Sequence, residues 1–176
     1  MLCELVLVPP LTPTLSPRRG SLRKEATLDL KIEPVTQETL SDVLELFGQY
    51  QIFYKTEPDP KRNEKFLNML LDSPDEGIQF VALEDGKALG FATLYYTFSS
   101  VSAMPMGLLN DLYTIPESRG KGVGRALMNH CAEFLKSKGF KKMFWNTATD
   151  NHTAQKLYDT FPASKATWLQ YTILLD

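Results

Sequence analysis

Apolar residues first recur with a period of two, at Leu28, Leu30 and Ile32 around Asp29 and Lys31. That is the alternation of a strand with one buried face. From Leu40 the period lengthens, and Leu40, Val43, Leu44, Leu46 and Phe47 fall on one helical stripe behind Thr36 or Ser41 as a cap. Tyr50 to Pro60 reads as a polar and aromatic connection, after which Phe66, Met69 and Leu70 mark a second helix ending near Ser73-Pro74. Phe80 to Leu83 and Ala88 to Phe98 flank Glu84-Asp85-Gly86-Lys87, whose Asp-Gly pair supplies the positive φ of a tight hairpin. Leu108 to Thr114 predicts a fourth strand stopped by Pro116. The segment Gly122 to Lys138 predicts a helix with Val123, Ala126, Leu127, Cys131, Phe134 and Leu135 on one stripe and Gly139 as its C-terminal cap. Met143 to Thr147 reads as a fifth strand, Asn151 to Thr160 as a short helix and Trp168 to Leu175 as a closing strand.

Residues 1–27 break this pattern. They hold four of the eleven prolines and four basic residues, Arg18, Arg19, Arg23 and Lys24. Such a stretch does not bury apolar surface, so 1–27 is read as a flexible N-terminal extension and 28–176 as the folded domain. The same break raises the expectation that the native chain starts near Leu28. Intact mass of the protein made from its own gene checks this, and a species starting at Met1 contradicts it.

The chain has 176 residues, enough for one domain with a substantial core. Its 19 Lys and Arg against 21 Asp and Glu leave a net charge of −2, with no electrostatic footprint for nucleic acid and no polybasic membrane patch. No apolar run reaches the roughly 18 residues of a membrane span. The stretch Leu5 to Val8 follows Glu4, lacks a basic flank and runs into Pro9-Pro10, so it does not read as a secretory signal. Cys3 and Cys131 allow at most one bridge, and the expected setting is a reducing, cytoplasmic one.

The informative run is Arg119-Gly120-Lys121-Gly122-Val123-Gly124, between a predicted strand and the long helix. Its glycines let backbone approach a ligand closely, and the free amides at the helix start favour an anion. Arg119, Lys121 and Arg125 add positive charge around them, so a phosphate or pyrophosphate is the expected ligand. A Walker loop is disfavoured because Ile115 takes its first glycine position. The dinucleotide fingerprint fails because Arg125 stands where its third glycine belongs.

Here the sequence resembles the GNAT superfamily of acyl-CoA-dependent N-acyltransferases, whose signature Arg/Gln-x-x-Gly-x-Gly/Ala is matched by Arg119, Gly122 and Gly124. The resemblance extends through Asn110-Asp111-Leu112-Tyr113, Trp145-Asn146-Thr147, Asn151, Ala154, Leu157-Tyr158 and Gln170-Tyr171, and is nearest to the yeast-type histone and polyamine acetyltransferase branch. It implies an α/β domain of GNAT type, with a mixed, mostly antiparallel sheet of six or seven strands, splayed where acetyl-CoA enters, and helices on both faces. It implies acetyl-CoA as co-substrate, its pyrophosphate on the amides of Gly120, Lys121, Gly122, Val123, Gly124 and Arg125, beside Arg119. Backbone of Leu112, Tyr113 and Thr114 would hold the thioester carbonyl, and an N–H aimed at the developing oxyanion contributes roughly 3 kcal/mol. Asn151 would contact the pantetheine arm and Tyr158 would protonate the departing thiolate. The seven-residue spacing puts Asn151 and Tyr158 on one helix face.

A phenol of pKa about 10 needs help to protonate a thiolate whose acid has a pKa of about 8.5. The acceptor amine must itself lose a proton before attack, because alkyl amines titrate near 10. In polyamine-acetylating relatives a Glu before the Asp takes it; here that position is Asn110, which cannot act as a base. Asp111, a water relay or an acid such as Glu57 is left, with strand alternation turning Asp111 away from Asn110. Cys131 reads as core, and His130 and His152 have no metal-ligand spacing to any Cys, so no metal is expected. Phe161-Pro162-Ala163-Ser164 replaces the family's Gly-Phe, which puts acceptor-side geometry in question.

The function expected is transfer of an acetyl group from acetyl-CoA to a primary amine (polyamine, amino acid or other small amine) by direct attack in a ternary complex, with Tyr158 and Asp111 as catalytic candidates. The alternatives are a non-catalytic acyl-CoA sensor and a protein-lysine acetyltransferase. A homodimer is a further expectation of the resembled branch.

Overall fold

A computed structural model describes residues 29–175. The reading of 1–27 as a flexible extension, and Leu28 at the start of the first strand, lie outside the described residues. The elements are β1 (Lys31–Pro34), α1 (Leu40–Phe53), α2 (Pro60–Asp72), β2 (Gly77–Glu84), β3 (Lys87–Ser99), β4 (Met104–Thr114), a 3₁₀ turn (Pro116–Ser118), α3 (Val123–Ser137), β5 (Met143–Phe144) and α4 (His152–Tyr158).

The strands form one sheet in sequence order, antiparallel from β1 to β4, with β5 parallel to β4. The β2–β3 hairpin closes on Asp85 and Gly86 at φ 49° and 77°, the positive angles the Asp-Gly pair predicts. Helices α1 and α2 cover one face, where the Phe47 and Tyr50 rings pack on Phe91. Helix α3 covers the other, where Phe134 and His130 pack on Phe80. Phe80, Phe91, Leu67, Leu94, Leu127, Met128 and Cys131 are fully buried between the layers. Burying one such side chain contributes about 1.5–3 kcal/mol.

Three expectations need correction. The segment from Tyr50 to Phe53 is the last turn of α1 rather than a connection; Tyr50 continues the buried stripe three residues after Phe47, and polar Gln49 and Gln51 mask the period. The fifth strand is two residues long, because β4 and β5 pair only at Gly107 with Met143 and Leu108 with Phe144 before separating. Among the described residues the sheet has five strands rather than six or seven, since Trp168–Leu175 joins no ladder there and its apolar side chains are exposed. The α/β class and mixed, mostly antiparallel sheet with helices on both faces stand as expected.

Candidate active site

The separation of β4 from β5 beyond Leu108 leaves that edge of β4, from Leu109 to Thr114, without a strand partner among the described residues. A cleft of about 460 Å³ opens there, bounded by the end of α1, by β4, by the glycine loop with the start of α3, and by Asn146, Thr147 and α4. Of the residues predicted to act, Leu112, Tyr113, Thr114, Arg119, Gly120, Gly122, Val123, Gly124, Arg125, Asn151 and Tyr158 line it. Lys121 and Asp111 do not: Lys121 is exposed on the loop and Asp111 is buried behind the cleft wall.

The loop is built of backbone. Gly122 is the N-cap of α3 at φ 92°, a left-handed conformation that side chains disfavour, and among the described residues no side chain caps the helix amides. In α2 and α4 the equivalent amides are taken, by the Asp59 carboxylate from Arg62 N–H and by Asn151 Oδ1 from Ala154 N–H, each at 3.1 Å. A Cβ placed on Gly120 or Gly122 would meet nothing within 4 Å, so both face open space, whereas one on Gly124 would stand 3.3 Å from Leu157 of α4. The amides at the head of α3 therefore face the cleft unengaged, with the helix dipole behind them. Arg125 lies over the Phe161 ring at 5.6 Å. Arg119 Nε donates to the Thr114 carbonyl at 3.3 Å, and its guanidinium sits 5.7 Å from the Phe53 ring and 6.0 Å from the Tyr113 ring. Such a cradle fits a pyrophosphate, with open edge amides of β4 beyond it for a carbonyl oxygen.

Asn151 stands at the N-cap of α4 and outside the helix proper, and Tyr158 is the helix's last residue. Both reach the cleft, but the Oδ1 of Asn151 is spent on the cap, so its Nδ2 is the group left for a ligand. Burial, with Tyr54 nearby, pushes the Tyr158 phenol up to about 12. This is opposite to the help that full proton transfer to a thiolate requires; at neutral pH the phenol is a hydrogen-bond donor that keeps its proton.

On β4 the register slips between Asp111 opposite Thr93 and Leu109 opposite Leu94, so Asn110 is the extra residue of a β-bulge. The bulge corrects the expectation from simple alternation: the Asn110 amide turns back and donates to Asp111 Oδ1 at 3.1 Å while Asn110 itself lines the cleft. Asp111 sits beneath the aromatic wall. Burial first, and then the Asp111 charge, raise the Tyr50 phenol far above its ordinary value and the Tyr95 phenol to about 12. Tyr50, Phe53 and Tyr54 stack edge to face as the outer wall, with ring centroids 5.0 and 5.2 Å apart. Glu57, the other acid considered, does not line the cleft, and nor does Asp59, which caps α2. Burial pushes the Cys131 thiol up to about 12, in keeping with a core role.

Sequence reasoning missed Ser118, Thr153 and Leu109 as cleft residues. Ser118 ends the 3₁₀ turn and is buried, which only the path of the loop reveals.

A splayed α/β sheet with unengaged amides at a helix start beside the splay is the arrangement expected of an acyl-CoA-dependent transferase. Residues 40–161 match the model of the acetyltransferase (GNAT) family, and the chain belongs to that family and is an N-acetyltransferase. It is 37% identical over 114 residues to the uncharacterized N-acetyltransferase YhfO of Bacillus subtilis, covering 65% of this chain and 76% of that one. It is 31% identical over 129 residues to the D-amino-acid N-acetyltransferase HPA3 of Saccharomyces cerevisiae, covering 72% and 78%. A crystal structure described as a probable acetyltransferase superimposes with a TM-score of 0.74 at 31% identity, over 83% of this chain and 98% of that one.

Proposed function

We propose that the protein transfers the acetyl group of acetyl-CoA to the primary amine of a small molecule, with an amino acid favoured over a polyamine. The observation that carries the acceptor choice is the charge of the cleft. Among the described residues no carboxylate lines it, Asp111 being buried behind the wall, and its two cationic side chains, Arg119 and Arg125, stand at the glycine loop. A polyamine wants acidic lining to pair its several ammonium groups, which this cleft lacks, whereas an amino acid carries one ammonium group and does not require it. The name of the yeast relative supports the same choice.

Acetyl-CoA supplies the activated thioester. Its pyrophosphate rests on the amides of Gly120 and of Gly122 through Arg125, the Lys121 amide being donated to the Ser118 carbonyl at 3.3 Å, with Arg119 and the more distant Lys121 side chain supplying positive charge. Asn151 steadies the pantetheine arm through Nδ2. Backbone N–H groups on the open edge of β4, from Leu112 to Thr114, receive the carbonyl oxygen as it gains charge. Asp111, reached through the Asn110 bulge, takes the ammonium proton, directly or through a water. The free amine then attacks the carbonyl carbon and the C–S bond breaks. Tyr158 donates a hydrogen bond to the sulfur as that bond lengthens, and the proton that the nitrogen of the new amide sheds goes to the departing thiolate. The protein acts in the cytoplasm as a homodimer.

The test incubates the full chain with acetyl-CoA and a panel of D- and L-amino acids and spermidine, reading CoA thiol release and product mass. Acetylated amino acids are expected. Acetylation of spermidine alone would overturn the acceptor class, and no transfer to any amine would overturn the reading.

A further inference from the structure

Strand β1 stops at Pro34, opposite Phe80, and the Val35 N–H donates to the Gln79 carbonyl at 2.9 Å. Beyond that point Gly77 and Ile78 of β2 have no strand neighbour on the β1 side among the described residues. A second cavity, of about 500 Å³, opens there between the C-terminal ends of α2 and α3. That volume lies within the roughly 300–1,000 Å³ of small-ligand sites. It shares no lining residue with the cleft, and the 15 residues of α3 put roughly 20 Å between it and the glycine loop.

The lining is graded from rim to floor. At the rim stand the exposed Asp75 carboxylate and Lys138 ammonium, neither of them in an ion pair among the described residues. Lys138 Nζ is placed over the Phe134 ring at 5.7 Å. The walls are apolar, with Leu70 and Leu71 from α2 on one side and Tyr96 and Phe140, ring centroids 5.1 Å apart, on the other. Gln79, also in the lining, is only 3% exposed. Its Nε2 donates to Thr93 Oγ1 at 3.0 Å, but its Oε1 is the one buried side-chain polar atom among the described residues that has no hydrogen bond. A buried acceptor left unpaired is destabilising, and a donor brought by a ligand relieves it.

We infer that this cavity binds an amino acid whose aromatic ring carries an N–H or O–H donor. The rim offers opposite charges to a zwitterionic head, Asp75 to its ammonium and Lys138 to its carboxylate. The walls take the ring, and the ring's donor reaches Gln79 Oε1. An indole N–H donates and brings no acceptor to be stranded, so tryptophan suits the site better than tyrosine, and phenylalanine leaves Oε1 unpaired. The site is separate from the cleft, and its assignment stands or falls apart from the acceptor proposed there.

The full chain, without acetyl-CoA, is titrated with tryptophan by calorimetry and by proton–nitrogen amide spectra. Saturable binding is expected, with the largest shifts at Gly77, Ile78, Gln79 and Phe140. No binding, or shifts centred on Leu109 to Thr114 in the cleft, overturns the inference. Tryptophan methylated on its indole nitrogen keeps head and ring and lacks the donor, so it should bind about tenfold more weakly. Equal binding of the two overturns the inference without any change to the protein. Lys138 is exposed, and Lys138→Met should weaken tryptophan about tenfold while leaving tryptamine, which has no carboxylate, unaffected. Loss of neither ligand, or equal loss of both, overturns the placement of the head.

Discussion

The two halves of the cleft are built from different material. The half proposed to hold acetyl-CoA is a continuous run, from the end of β4 through the 3₁₀ turn to the first turn of α3, and what it offers a ligand is backbone amide. The acceptor half is assembled from side chains far apart in sequence: Tyr50, Phe53 and Tyr54 from α1, Asn110 and buried Asp111 from β4, and Tyr158 from α4. Backbone sites are fixed by conformation and fail when conformation or charge is changed at one glycine. Side-chain sites depend on packing and protonation and fail by degrees. On the proposed reading the first half carries the chemistry shared by the family, and the second carries what distinguishes one acceptor from another.

The sharpest way to break that comparison is Gly122→Glu. The substitution strains a left-handed position by about 1–2 kcal/mol and sets a carboxylate where an anion should bind. Titration calorimetry should show about a 10³-fold loss of acetyl-CoA affinity with an unchanged circular dichroism spectrum. Tyr158→Phe keeps the ring and removes the donor. Turnover is expected to fall about a hundredfold, the scale of a lost proton-handling group, while KM for acetyl-CoA stays within about threefold. Unchanged turnover would remove Tyr158 from the mechanism.

Asp111→Asn tests the acceptor half alone. Steady-state assays should show about a tenfold drop in kcat/KM for the amine with acetyl-CoA affinity intact, and recovery as pH approaches the amine's own pKa, near 10, where no base is needed. The smallest effect near neutrality is on stability. Tyr95 and Tyr158 have folded-state values raised from 10 to about 12. A group raised on folding contributes stability fully below its unfolded value and loses it as pH climbs to the folded one. These phenols should thus leave denaturant stability flat from pH 7 to about 9 and lower it between about 10 and 12. Urea midpoints of the native protein and Tyr158→Phe, compared across that range, check it, since the variant loses less.

How far the sequence could be read follows the same division. The glycine loop, the hairpin at Asp85-Gly86 and the amphipathic α3 were legible because each is set by neighbours in sequence: a positive φ, a helical stripe, a Gly at the cap. The partnership of α1 with β4 was not legible, because the turn at Tyr50 hides its period behind glutamines and because a bulge at Asn110 leaves no mark in composition. Asn151 was found for its spacing to Tyr158, yet the structure uses it as the cap of a helix it does not enter. The closing strand was legible as a strand pattern and wrong as a place in this sheet, since pattern shows that a segment wants a ladder without showing whose.

The central claim is that the splayed strands and the glycine loop form one acetyl-CoA site. Calorimetric titration of the full chain with acetyl-CoA, repeated with ATP present in equal concentration, tests it most directly. The account predicts one-to-one binding in the micromolar range that ATP does not displace. Absence of binding, or equal displacement by ATP, would contradict it, the second by showing a loop that holds phosphates without regard to what carries them.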